Sequence, residues 1–146
     1  MFIVDLVLLA ILIFALLLFI TAVVSILSGS PYVPSNRATI ERMLKEAKLK
    51  KNQLVYDLGC GDGRLLIKAE KKYRIKGIGY EAAPIPYLLA LGNKLFHRSK
   101  AKIYLGDFMK VNLENAQVIF LYLGPELQPK LAPKIKKECQ PGALIV

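Results

Sequence analysis

The sequence predicts an α/β protein, a doubly wound parallel sheet preceded by one membrane-spanning helix. Three observations carry that prediction. Short apolar runs such as Leu54-Val55-Tyr56 alternate with stretches of helical spacing, as expected of strands buried on both faces of a parallel sheet. Between the first run and the helical pattern Leu65, Leu66, Ala69, Tyr73 stand three alternating glycines, Gly59, Gly61 and Gly63, on a strand-to-helix turn where α/β sheets bind ligands. From Leu6 to Leu27 every residue except Thr21 and Ser25 is apolar and none is charged. As a helix that run reaches roughly 33 Å, enough to cross a bilayer core.

Taken in order, residues 1–28 are expected to form the transmembrane anchor. Met1 to Asp5 holds no Lys or Arg, so the basic leader of a cleavable signal peptide is missing. Residues 29–35 form a short linker that continues into Tyr32-Val33-Pro34-Ser35, and residues 36–146 form the α/β domain. Ser35 is expected to cap a helix whose apolar stripe is Ile40, Met43, Leu44 and Ala47, with Glu41 and Lys45 paired on its outer face. Strands follow at Leu54–Tyr56, Lys76–Glu81, Ala101–Phe108 closing on Gly106-Asp107, Gln117–Tyr122 and Ala143–Val146. Helices are expected over Leu65 to Tyr73, from near Pro86 through Phe96, and from Pro133 to about Cys139.

The register of the glycines selects the ligand. A dinucleotide fingerprint needs glycine or alanine where this chain has Arg64, so NAD fits poorly. What remains is Asp57-x-Gly59-x-Gly61-x-Gly63, which resembles the cofactor loop of the seven-strand, Rossmann-like S-adenosylmethionine-dependent methyltransferases. The resemblance implies that Asp57 anchors the methionine end of the cofactor through its ammonium and that the loop, with Cys60 inside it, passes beneath. Charge-assisted hydrogen bonds of this kind are the strong ones. Glu81, closing the second strand, is placed to accept the ribose hydroxyls. The resemblance puts Asp107, at the end of the third strand, beside the adenine.

Together with Tyr32-Val33-Pro34-Ser35 and Leu121-Tyr122-Leu123-Gly124-Pro125-Glu126, the motif is similar to a group of protein lysine methyltransferases. That group holds archaeal broad-specificity enzymes and the mitochondrial enzymes acting on the ATP synthase c subunit and the adenine nucleotide translocase. By that resemblance Tyr32, Pro34 and Ser35 lie over the cofactor, and Tyr122 and Glu126 border the methyl acceptor, a lysine of a protein near the membrane; the alternatives are a lipid, small-molecule or RNA acceptor, or a non-catalytic membrane-tethered module that binds the cofactor. The family's sheet continues with a sixth and seventh strand, so the domain is expected to be C-terminally truncated after the fifth. Its open edge would then invite a strand-pairing partner.

Charge sets orientation and partners. All 21 Lys and Arg residues follow the apolar run, and of the 11 carboxylates only Asp5 precedes it. The positive-inside rule then puts the domain in the cytoplasm, on a single-pass anchor. The basic surface suits an anionic leaflet, whereas no aromatic-interleaved basic motif points to nucleic acid. His97 reads as a solvated helix terminus. Cys60 and Cys139 show no metal-ligand spacing and no disulfide pattern.

Overall fold

The computed structural model describes residues 2–27, 35–124 and 126–146. In chain order the elements are α1 (Phe2–Leu27), α2 (Arg37–Glu46), β1 (Leu54–Leu58), α3 (Arg64–Tyr73), β2 (Lys76–Glu81), α4 (Pro84–Phe96), β3 (Lys102–Leu105), a 3₁₀ turn (Phe108–Lys110), β4 (Val118–Phe120), α5 (Gln128–Glu138) and β5 (Leu144–Ile145). All four strand pairs are parallel and the sheet order is β3-β2-β1-β4-β5. The chain winds outward from β1 to β3, returns to β4 on the other side of β1, and so places its topological switch between β1 and β4. In parallel sheets a switch point of this kind, at the carboxyl ends of the strands, is where ligands bind.

Period-two alternation explains both layers. Val55 of β1 and Val118 and Phe120 of β4 face α2, α3 and α4, where they pack with Leu44, Leu66, Ala69 and Ala90. Tyr56, Leu58 and Ile119 point the other way, against Phe108, Leu113, Leu127 and Leu131. That second layer is thinner because a three-residue 3₁₀ turn is the only helical element between β3 and β4. Tyr56, Tyr80 and Tyr104 stack across three strands in consequence, with ring centroids 6.4 and 5.3 Å apart. Tyr104, on the edge strand, is 44 % exposed.

One helix cap, two helix starts and one ion pair differ from expectation, and β1 runs on to Leu58 while β3, β4 and β5 are shorter than the expected runs. Asn36, not Ser35, caps α2, its Oδ1 accepting from the Thr39 N–H at 2.8 Å. Glu41 pairs with Lys68 and Lys72 of α3 rather than with Lys45, because a cross-helix cation lies nearer than its own next turn. The α4 helix opens two residues earlier, at Pro84, whose fixed φ suits a first helical turn. Pro133 lies inside α5, which begins at Gln128. Its missing N–H costs one backbone hydrogen bond, and the burial of Leu127 and Leu131 holds the first turns in place.

One close contact seats the future site on the sheet. A Cβ on Gly79 of β2 would lie 2.8 Å from Cys60 Sγ and 2.9 Å from Leu66 Cδ1. Gly79→Ala is therefore expected to destabilise the domain by about 1–3 kcal/mol, read as a lowered urea midpoint by far-ultraviolet circular dichroism of the full chain in detergent.

Candidate active site

The turn from β1 into α3 is built from positive backbone angles at Gly59 (φ +82), Gly61 (φ +55) and Gly63 (φ +75). Its amides are engaged by the sheet beneath. Gly59 and Cys60 N–H both donate to the Tyr80 carbonyl at 2.9 and 3.0 Å, and Gly61 N–H donates to Glu81 Oε2 at 2.9 Å. Gly63 N–H donates back to the Cys60 carbonyl at 2.9 Å. A phosphate-cradling loop must point such donors outward, so this loop is closed to a pyrophosphate. Where α3 begins, Asp62 adds negative charge and accepts from the Arg64 N–H at 3.3 Å.

Three carboxylates gather around the loop. Asp57, at the end of β1, is 5 % exposed, and Asp62 and Glu81 are buried beside it. Glu81 uses both oxygens on backbone, Oε2 on Gly61 and Oε1 on the Ala83 N–H at 2.8 Å. Asp62 takes the Arg64 guanidinium, whose Nε lies 2.8 Å from each carboxylate oxygen. Asp57 receives no hydrogen bond among the described residues. Burial first, and then the Glu81 and Asp62 carboxylates, push its pKa from 3.8 up to about 7. The group that best relieves a buried, unpartnered carboxyl flanked by two more is an organic cation.

The remaining sequence candidates fall around this trio. Arg64 Nη1 donates to the Ser35 carbonyl at 3.4 Å, which draws the segment before α2 toward the loop. Tyr32 and Pro34 lie outside the described residues. Asp107 is exposed after β3, its Oδ1 accepting from the Met109 N–H at 2.8 Å. The Gly106 N–H is held by the Glu81 carbonyl at 2.8 Å, which brings the ends of β2 and β3 together. Tyr122 is 50 % exposed beyond β4, and Glu126 is also exposed. Cys60 turns its thiol into the core, where burial, with Asp57 and Glu81 adding to it, pushes the pKa well up and leaves an inert thiol.

Sequence reading missed four contributors. Asp62 and Arg64 form the ion pair at the mouth of the loop. Asn93 of α4 donates from Nδ2 to the Asp62 carbonyl at 3.0 Å. Leu123, after β4, packs so closely that a Cβ on Gly59 would lie 2.9 Å from its Cδ2. The Asp-Gly-Arg spacing carried a legible signal for the ion pair, but nothing local announced Asn93 or Leu123. A concavity of about 580 Å³ lies at the opposite, amino ends of the strands, lined by Asn52, Arg74, Lys76, Lys100 and Lys102. It is separate from the acid cluster.

The Asp57 displacement fixes a stability profile for the ligand-free protein. Between pH 3.8 and about 7 the folded state holds a proton that the unfolded chain releases, so stability falls as pH rises through that window. Asp57→Asn escapes the loss. It is expected to be more stable than the parent chain at pH 8 by about 2–4 kcal/mol and indistinguishable near pH 3.5, as measured by urea unfolding across pH.

Comparison with known proteins agrees with this geometry. The ANTKMT methyltransferase domain matches residues 57–146. The chain is 38 % identical over 119 residues to a protein-lysine N-methyltransferase of Saccharolobus islandicus, covering 80 % of this chain and 74 % of that one. It is 29 % identical over 118 residues to the human lysine N-methyltransferase named for the ATP synthase c subunit, with 80 % of this chain but 50 % of the human one covered. It thus spans about half the length of its animal relatives. Among solved structures, an RNA methyltransferase from Salinibacter ruber in complex with S-adenosyl-L-homocysteine superposes with a TM-score of 0.75 at 30 % identity, over 77 % of this chain and 75 % of that one. A methyltransferase from Thiobacillus denitrificans, also with S-adenosyl-L-homocysteine, shares the fold at a TM-score of 0.68 and 19 % identity, over 77 % of this chain and 48 % of its own. In sequence and in fold, therefore, the chain belongs to the ANTKMT methyltransferase family of S-adenosylmethionine-dependent enzymes.

Proposed function

We propose that the chain is a membrane-anchored protein lysine N-methyltransferase working at the cytoplasmic surface of a bilayer. The observation that carries the cofactor half of this reading is Asp57, 5 % exposed, accepting no hydrogen bond among the described residues and set beside two further carboxylates. S-adenosylmethionine offers an ammonium to that carboxyl and, when bound, supplies an electrophilic methyl group on a sulfonium. Asp57 takes the ammonium, and Gly59, Gly61 and Gly63 give the backbone clearance beneath it. Glu81 keeps lone pairs for the ribose hydroxyls beyond its two backbone bonds. Asp107 stands at the adenine end, and Tyr32, Pro34 and Ser35 close over the cofactor.

On the acceptor side, Tyr122 and Glu126 steer a lysine amine and take its proton. Attack needs the neutral amine, and desolvation in a narrow site lowers a lysine pKa toward it. Alignment of amine, methyl and leaving sulfur lowers the barrier by proximity, by up to about 7–11 kcal/mol in well-oriented cases. A protein acceptor is supported by relatives named for lysines of the ATP synthase c subunit and of the adenine nucleotide translocase. The anchor reading rests on α1, whose most apolar window has a mean hydropathy of 3.3 and is not buried. The cytoplasmic side rests on the basic flank Arg37, Arg42, Lys45, Lys48, Lys50 and Lys51 against Asp5 alone.

The RNA methyltransferase of Salinibacter ruber and the net charge of +10 favour RNA as the second acceptor class. Transfer of labelled methyl from the cofactor to a membrane-protein fraction, with RNA from the same cells as the competing substrate, separates the two. In the productive assay Tyr122→Phe and Glu126→Gln are each expected to lower kcat about tenfold or more with cofactor affinity unchanged. Unaltered turnover in both variants would remove the acceptor-side assignment.

Calorimetric titration of S-adenosylmethionine into the full chain in detergent tests the cofactor site. Binding is expected to be lost in Asp57→Ala and unaffected by NAD. As pH falls from 7.5 to 6, affinity is expected to drop roughly five- to tenfold as Asp57 takes up its proton. A flat profile would detach the ammonium from Asp57.

A further inference from the structure

The α4 helix buries Pro86 and Ala90, and packs Ala90 into the core over the sheet with Tyr87 and Leu91 beside it. Its other side is apolar and open. Leu88, Leu89, Gly92, Leu95 and Phe96 recur at i, i+1, i+4, i+7 and i+8, one continuous stripe of a helix, with Leu88 and Leu89 each 50 % exposed, Leu95 81 % and Phe96 82 %. Scattered apolar side chains on a surface need no explanation, but a contiguous helical stripe of them marks an interaction face.

What lies against this face is indicated by what already touches its end. The α1 helix packs on the domain through α4, and the Ile85 N–H donates to Thr21 Oγ1 at 3.2 Å. Counting from Leu6, a hydrocarbon core of about 30 Å uses some 20 helical residues and ends near Ser25. Thr21 stands about one turn inside that limit. The first turn of α4 is thereby fixed at the depth where acyl chains meet headgroups, and the stripe runs on from it.

The other end of α4 carries the matching charge. Lys94 and Arg98 lie in and just beyond its last turn, and Lys71 of α3 stands 3.2 Å from the His97 ring. No residue of α4 is acidic. The nearby carboxylate, Glu70, is engaged by the Ser99 hydroxyl and by the amides of Lys100 and Ala101. An apolar stripe fringed by unopposed cations is the composition of a helix that lies in the plane of an anionic membrane interface.

We propose that α4 is a bilayer-docking helix, with Leu88, Leu89, Leu95 and Phe96 inserted into the interface of an anionic leaflet beside the α1 span. The inference rests on the anchor reading of α1 and adds a second, in-plane attachment. With two attachments the domain has a set rotation over the lipid, and the switch point between β1 and β4 is presented at one height. The acceptors this favours are lysines held close to the headgroups.

Nitroxide labels on the full chain, reconstituted in vesicles of phosphatidylcholine and phosphatidylglycerol, test this by power saturation against oxygen and a nickel chelate. Labels go on Leu95→Cys and Phe96→Cys, two surface positions whose replacement leaves the core intact. Ile11→Cys in α1 and Lys130→Cys on α5, across the sheet, serve as references. All carry Cys139→Ser, and the same chain without an added cysteine gives the blank for buried Cys60. For insertion of about 5–10 Å, nickel accessibility at 95 and 96 is expected to fall roughly threefold or more below that at 130. A deep label at 11 with water-exposed labels at 95 and 96 would overturn the docking helix and leave the anchor standing. Spin coupling at 95 and 96 that vanishes on dilution with unlabelled chain would overturn it in favour of a second copy. A water-exposed label at 11 would overturn the anchor and the docking helix together.

Discussion

The structure hangs on the seating of one turn upon one strand. The Tyr80 carbonyl accepts from two successive amides, Gly59 and Cys60, and the next carboxylate, Glu81, accepts from Gly61. This is possible only because Gly79 leaves room for the Cys60 side chain and because the loop glycines adopt positive φ. From that seating the rest follows. The loop's amides are consumed by the sheet, its acids are driven together, and α3 starts at an angle that buries Leu65, Leu66 and Ala69. The same junction thus decides the packing of a helix and the chemistry of the loop.

Electrostatically the junction is unusual for a domain that is otherwise strongly basic. Arg64 neutralises Asp62 and backbone amides satisfy Glu81, which leaves the unmet demand on Asp57. The protein thereby concentrates its destabilising interactions at one carboxyl, where a cationic ligand can return what folding gave up. This arrangement also separates the site from a dinucleotide-binding turn of similar outline. There, amides and a helix terminus face a polyanion, whereas here buried carboxylates gather at the turn and the amides are spent on the sheet.

How much of this was legible in the sequence depended on range. The strands were readable because burial on both faces leaves uninterrupted apolar runs, and Asp57, Glu81 and Asp107 were readable because each closes such a run. Helix starts were harder. Asn36 and Ser35 are both good caps, and only the Thr39 amide decides between them. Pro133 reads as a helix opener until the burial of Leu127 and Leu131 carries the helix through it. Contacts such as Glu41 with Lys68 and Lys72, or Leu123 over Gly59, join segments far apart in the chain, and no local pattern encodes them. The helix from near Pro86 was readable as an element, but nothing local said which of its sides meets the sheet.

The stacked rings of Tyr56, Tyr80 and Tyr104 have an optical consequence. The protein contains no tryptophan and seven tyrosines, and three of those seven form a column across β1, β2 and β3 with neighbouring planes inclined by 25° and 24°. Chromophores held at such separations couple, and their coupling vanishes as soon as the strands part. The near-ultraviolet circular dichroism of this chain is thus expected to carry a coupling contribution that reports the register of β1 and β2 with the edge strand β3, a native gauge of the platform on which the glycine turn sits.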